Sequence, residues 1–272
     1  MSLLKAQDPR AISIEHTYCD KMFDTSGAIF KVSTTFGKDF SFPHIRVVFP
    51  TAPLQPYTPC DGELSNVWFD RLAINASVPE VADSIDLIGK DIKQLIKDEN
   101  DKGIPNNRII VGGFSMGGGL ALHTAYRWNT DLAGVFVLSS FLNKDSAVYK
   151  ALESDSTGAP ELLQFHGGSD DLVPLEAGKN TFDKLSSLGV KGKFIVEKYN
   201  DHSVTRPELF TVHQWIAQHL PEVDYQKSIY IKSLRRAGGM DLIFMQIYSF
   251  ILRLLKFGNY DLKNKSKVTA YF

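Results

Sequence analysis

Cysteine is almost missing from this chain: its 272 residues hold only Cys19 and Cys60. Two cysteines without metal-ligand spacing supply neither a disulfide framework nor a zinc site, and they suit a reducing compartment. A charge excess is missing too. Thirty Lys and Arg stand against 31 Asp and Glu, a formal net charge of -1, whereas a protein that tracks phosphates carries a clear basic surplus. This argues against a nucleic-acid partner. The first nineteen residues mix polar and apolar types with no continuous apolar stretch. No cleavable secretory leader is visible, and the expectation is a cytoplasmic protein. The glycines of 112–119 lack the Lys-Ser/Thr pair that holds a nucleotide and its magnesium, so a phosphate-loop reading is set aside.

What is present fits a globular α/β protein, since 43% hydrophobic and 22% charged residues lie near the average for folded domains. Ile45–Phe49 is a β-branched and aromatic run closed by Pro50, the mark of a buried strand ending at a turn. Ser77-Val78-Pro79-Glu80 has capping-box spacing and predicts a helix start. Val81, Ile85, Ile88, Ile92, Leu95 and Ile96 continue it at three- and four-residue steps, with Gly103 and Pro105 as the stop. Further strands are expected at Arg108–Gly112, Gly134–Leu138, Leu162–His166 and Phe194–Tyr199. Helices are expected at Met116 to about Arg127, Leu175–Leu188 and Pro207–Leu220. Such alternation implies a mainly parallel central sheet with helices on both faces.

The two ends read differently. Residues 1–44 contain strand candidates at Ala11–Tyr18 and Ala28–Thr35 without clear alternation, and are expected to contribute to the sheet. Residues 221–272 carry nine Lys or Arg against four Asp or Glu around the apolar run Leu242–Phe257. That run is shorter than the roughly 20 residues a spanning helix needs, and Gln246 and Arg253 interrupt it, so no spanning segment is expected. Its basic flanks suit peripheral contact with an anionic membrane surface as well as a docked helix or an unstructured extension.

The chemistry is carried by Gly113-Phe114-Ser115-Met116-Gly117, a Gly-x-Ser-x-Gly pattern between an expected strand and an expected helix. In that setting a serine sits on a sharp turn with its hydroxyl exposed, and small neighbours let strand and helix approach. Without the setting, a glycine-rich packing turn would be as good a reading. A serine hydroxyl needs a base to take its proton, and the base needs an acid to fix its tautomer. Asp170, after the strand ending at His166, and His202, after the strand ending near Tyr199, follow in the order Ser, Asp, His. Asp171 competes with Asp170 at this level. His166 is assigned to the turn before Asp170, and His16, His44, His123, His213 and His219 to packing or exposure.

Taken together, several segments resemble the acyl-protein thioesterase and lysophospholipase family of α/β-hydrolases. They are Phe49-Pro50-Thr51-Ala52-Pro53, Ser65-Asn66-Val67-Trp68-Phe69-Asp70, Gly112 to Gly118, Leu138-Ser139-Ser140-Phe141-Leu142 and Asp170-x-x-Val173-Pro174. The resemblance runs from about Phe42 to Pro221 and favours Asp170 over Asp171. It implies an α/β-hydrolase core at 45–220 between an atypical N-terminal segment, 1–44, and an atypical C-terminal extension, 221–272. It also implies a cofactor-free serine hydrolase of carboxylic esters or thioesters, S-acylated proteins or lysolipids among them. Ser115 would attack, His202 would move the proton, and the Met116 N–H would bind the oxyanion. Trp68 and Phe69 would lie near the acyl site, or would only pack on the sheet. One departure stands out: the family's His-Gly-x-Gly-Asp-type loop, which supplies a second oxyanion N–H, has no counterpart before Ser115 beyond Asp24-Thr25-Ser26-Gly27. Losing one such donor commonly lowers turnover by about a hundred- to a thousand-fold. The resemblance therefore also admits a catalytically impaired relative that binds acylated partners.

Overall fold

The computed structural model describes residues 42–222 and the strand 268–271. The strand candidates Ala11–Tyr18 and Ala28–Thr35, the stretch Asp24–Gly27 and the apolar run Leu242–Phe257 lie outside the described residues. In chain order the elements are β1 (Ile45–Val48), β2 (Leu54–Tyr57), β3 (Glu63–Asn66), α1 (Ala82–Asp101), β4 (Ile109–Phe114), α2 (Met116–His123), β5 (Gly134–Leu138), α3 (Ala147–Ser154), β6 (Leu162–Gly167), α4 (Leu175–Ser187), β7 (Gly192–Glu197), α5 (Arg206–His219) and β8 (Val268–Tyr271). β2 and β3 form a separate antiparallel hairpin. The other six strands make one sheet in the order β1-β8-β4-β5-β6-β7, with every neighbouring pair parallel.

Strand periodicity decides which side chains meet which helices, because successive residues point to opposite faces. Ile109, Val111, Val135, Val137 and Leu162 cluster with Ile96 of α1, Leu122 of α2, Val148 and Leu152 of α3, and Leu185 of α4. The intervening residues Ile110, Phe136, Leu138, Leu163 and Phe165 cluster with Leu209, Val212, Trp215 and Ile216 of α5. Both faces are thus buried, which is why these strands are apolar throughout. Each fully buried side chain of this size contributes about 1.5–3 kcal/mol. The fold is an α/β-hydrolase fold, a parallel sheet covered by helices on both sides.

One expected device is not used. α1 begins at Ala82 with Val81 as its N-cap and has no side-chain cap. The Ser77 N–H donates to Asn75 Oδ1, while Glu80 bridges to Arg71 as an isolated antiparallel pair. Paired there, Glu80 does not fold back on Ser77. Its carboxylate instead accepts from the Ala147 N–H at the start of α3, 3.0 Å, and from His123 Nε2, 3.2 Å. At α5 the device does form: Thr205 and Glu208 cap each other's backbone reciprocally.

The sheet holds an inner strand that the sequence did not announce. β8 lies between β1 and β4, with Ala270 opposite Val47 on one side and Ile110 on the other. Among the described residues β1 has no other neighbour in the sheet. The core therefore draws one of its inner strands from the C-terminal segment that the sequence reading placed outside it.

Candidate active site

Ser115 sits between the end of β4 and the start of α2 with φ 52° and ψ -119°, a region that L-residues rarely occupy and that stores strain at functional turns. Its N–H donates to the Leu138 carbonyl at the end of β5, 2.9 Å. The turn closes only because its neighbours lack side chains. A Cβ on Gly118 would stand 2.7 Å from Ser140 Cβ and 2.8 Å from a Val137 methyl.

Asp170 and His202 come from the loops after the next two strands, β6 and β7. Those loops lie against each other: a Cβ on Gly167 would fall 2.4 Å from the Asp201 carbonyl oxygen and 2.5 Å from that of Asn200. The Ser169 N–H donates to the Asn200 carbonyl, 2.9 Å. The close approach brings His202 Nδ1 to 2.8 Å from Asp170 Oδ2 and His202 Nε2 to 3.0 Å from Ser115 Oγ. Asp170 Oδ1 accepts from the backbone N–H groups of Leu172, 3.1 Å, and Val173, 2.8 Å. With Nδ1–H directed at a carboxylate, Nε2 is left as the acceptor that faces the serine hydroxyl. The Phe114 ring lies 4.6 Å from the imidazole, centroid to centroid, and covers it from the β4 side.

Burial by itself raises the pKa of Asp170. The His202 hydrogen bond and the Val173 N–H outweigh it, and the net effect holds the carboxyl below its ordinary value. Asp170 is therefore ionised at neutral pH and able to orient an imidazole and to stabilise an imidazolium.

Comparison with known proteins identifies the lineage. Residues 24–220 match the Phospholipase/Carboxylesterase family model. The chain belongs to the phospholipase/carboxylesterase family. It is 46% identical over 196 residues to lysophospholipase-like protein 1 of Mus musculus, covering 72% of this chain and 82% of that protein. It is 33% identical over 181 residues to acyl-protein thioesterase 1 homolog 1 of Dictyostelium discoideum, covering 66% of this chain and 79% of that protein. A crystal structure of a SOBER1 variant from Arabidopsis thaliana matches with a TM-score of 0.63 at 24% identity, covering 70% of this chain and 93% of that one, a likeness of fold.

In this phospholipase/carboxylesterase chain Met116 is the first residue of α2, and a helix's first N–H groups have no acceptor within the helix. The loop that the resemblance gives to a second oxyanion donor belongs ahead of the Phe49-Pro50 region, and the stretch Asp24–Gly27 lies outside the described residues. Trp68 and Phe69 are both buried and packed with Met116 and Leu120. Phe69 lies under α2 and carries the Arg71 guanidinium 5.2 Å over its ring. Trp68 differs: with Pro50, Ile92, Leu95, Gly117 and Leu120 it lines an apolar cleft beside the start of α2.

The remaining histidines engage elsewhere. His44 Nε2 donates to the Leu220 carbonyl at 2.7 Å, His213 stacks on Phe42, and His219 donates from Nδ1 to the Trp215 carbonyl. His123 joins Glu80 and Arg127. His16 lies outside the described residues. The site residues that sequence reasoning missed are the backbone donors at Leu172 and Val173 and the Phe114 ring. The Asp-x-x-Val-Pro spacing was the available signal for the first two, since an aspartate three residues before an N–H favours such a turn.

Proposed function

We propose that the protein is a serine hydrolase of carboxylic esters and thioesters, with Ser115 as nucleophile, His202 as general base and acid, and Asp170 as the orienting carboxylate. The observation that carries this reading is the unbroken relay from Ser115 Oγ to His202 Nε2, 3.0 Å, and from His202 Nδ1 to Asp170 Oδ2, 2.8 Å. His202 takes the hydroxyl proton as Ser115 Oγ bonds to the acyl carbon. The carbonyl oxygen becomes an oxyanion facing the Met116 N–H and the positive end of α2. The intermediate collapses, the C–O or C–S bond breaks, and the imidazolium gives its proton to the departing alcohol or thiol. Water then repeats the sequence on the acyl-enzyme, releasing the carboxylic acid and restoring Ser115.

The names of its relatives, lysophospholipase-like protein 1 and acyl-protein thioesterase 1 homolog 1, point to lysolipids and S-acylated proteins as the substrate classes. The apolar cleft lined by Trp68 is the place for an acyl portion. Peripheral contact with acidic lipid through the C-terminal extension, 221–272, would present the enzyme to such substrates.

A fluorophosphonate probe should label the wild-type protein and leave Ser115→Ala unlabelled, and p-nitrophenyl butyrate hydrolysis should vanish with the same substitution. Equal labelling of both proteins removes Ser115 from the reaction. A second reading, an impaired relative that binds acylated partners, is favoured by one observation: no His-Gly precedes Ser115 in the sequence. Acyl-ligand binding without a burst of acylation is its signature.

A further inference from the structure

His166, which is not a member of the relay, is fully buried at the end of β6, two residues before Gly168 in the turn that carries Asp170. Its Nε2 lies 2.8 Å from the Val173 carbonyl oxygen, which can only accept, so the ring proton sits on Nε2. The same Nε2 is 3.6 Å from Asp170 Oδ2, the oxygen that His202 contacts. Nδ1 is buried with no hydrogen-bond partner among the described residues. It lies against α4 so closely that a Cβ on Gly178 would stand 2.2 Å from it. A second proton at Nδ1 would find no acceptor, and the ring is held neutral.

We propose that His166 is a positioning residue for the relay: as a neutral Nε2–H donor it fixes the Val173 carbonyl, and through Val173 it fixes the Asp170 carboxylate toward His202. This rests on the proposed function, since it assigns a role in the same relay. The linkage is continuous. His166 Nε2–H holds the Val173 C=O, the Val173 N–H holds Asp170 Oδ1, and Asp170 Oδ2 holds His202 Nδ1. Val173 is pinned through both its N–H and its C=O, so the carboxylate cannot turn without breaking a buried bond. Neutrality matters as much as position. A cation 3.6 Å from Oδ2 would compete with the His202 imidazolium for the same oxygen. Burial lowers the His166 pKa, the Val173 carbonyl and Asp170 act in the opposite sense, and the net shift is downward. The charged groups acting on it are Asp170 and His202, while α4 presents Gly178 and β7 presents the Phe194 ring.

The test compares His166→Asn, whose amide stops short of the Nε2 position, with His166→Gln, whose Nε2 reaches it. His166→Asn is expected to cut kcat on p-nitrophenyl butyrate by about ten- to a hundred-fold with KM little changed. It should also broaden or abolish the far-downfield proton resonance of the His202–Asp170 hydrogen bond, and His166→Gln should restore both. Thermal melts identify any variant that has lost its fold. Wild-type kcat and resonance in His166→Asn overturn the proposal, as does an equal loss of kcat in the two variants with the resonance intact, which assigns the residue to packing. The resonance reads with or without turnover, so an inactive wild type counts against the proposed hydrolase and leaves the positioning test standing.

Discussion

Gly113 and Gly117 approach so closely that a Cβ on Gly113 would lie 2.3 Å from the Gly117 carbonyl carbon and 2.4 Å from its oxygen. The contact is backbone against backbone, so no side chain can swing aside to relieve it. Gly113→Ala is therefore expected to destabilise the protein by about 1–3 kcal/mol and to displace Ser115 from His202. Urea denaturation read beside fluorophosphonate labelling checks this. Wild-type labelling at wild-type stability would show that the turn has slack.

Asp170→Asn removes the charge while keeping the shape, and turnover is expected to fall by about 10³- to 10⁴-fold, measured as kcat on p-nitrophenyl butyrate. A residual activity within a few-fold of wild type would show that the carboxylate does not orient the base.

The same carboxylate sets an acid dependence of stability. Asp170 lies below its ordinary value of 3.8 in the folded state. Glu80 lies below its 4.5, where the His123 bond and charge and the hydrogen bonds of Ser146 and Ala147 outweigh the upward push of burial. A folded pKa below the unfolded one means stabilisation that is complete above the ordinary carboxylate range and is lost as pH falls through the folded value. Unfolding free energy should thus decline below about pH 4, and less steeply in Asp170→Asn. Parallel pH curves for the two proteins would contradict the assignment.

Much of the site was legible because its chemistry is local. A serine between glycines at a strand-to-helix junction, an aspartate in an Asp-x-x-Val-Pro turn and a histidine just past a strand each declare themselves within a few residues. Their order along the chain is then enough to join them. The strands β4 to β6 were legible from their apolar runs, since both faces are covered, and the half-exposed edge strand β7 from its short run Phe194-Ile195-Val196. The failures share a cause, which is competition from distant partners. Ser77 and Glu80 have the spacing of a cap, yet Glu80 gains more from His123 and the Ala147 N–H than from a helix start. Val268–Tyr271 is short and lies beyond a basic stretch. Nothing near it in sequence tells an inner strand from a tail, because its partners are Val47 and Ile110.

Ala270→Pro tests that placement. Proline removes an N–H that an inner strand needs for its ladder, and a loss of about 1–3 kcal/mol is expected, read by urea denaturation. An unchanged midpoint would show that the sheet does not rely on β8.

The position of β8 also orders events during synthesis. β1 is the first of the described strands to leave the ribosome and β8 the last, so the facing edges of β1 and β4 stay open until Val268–Tyr271 have emerged. Closure across so many residues is slow, and two open edges in the interval are templates for pairing with other chains. Yield in the cell should therefore respond to chaperone supply and growth temperature more than the stability of the finished sheet would suggest.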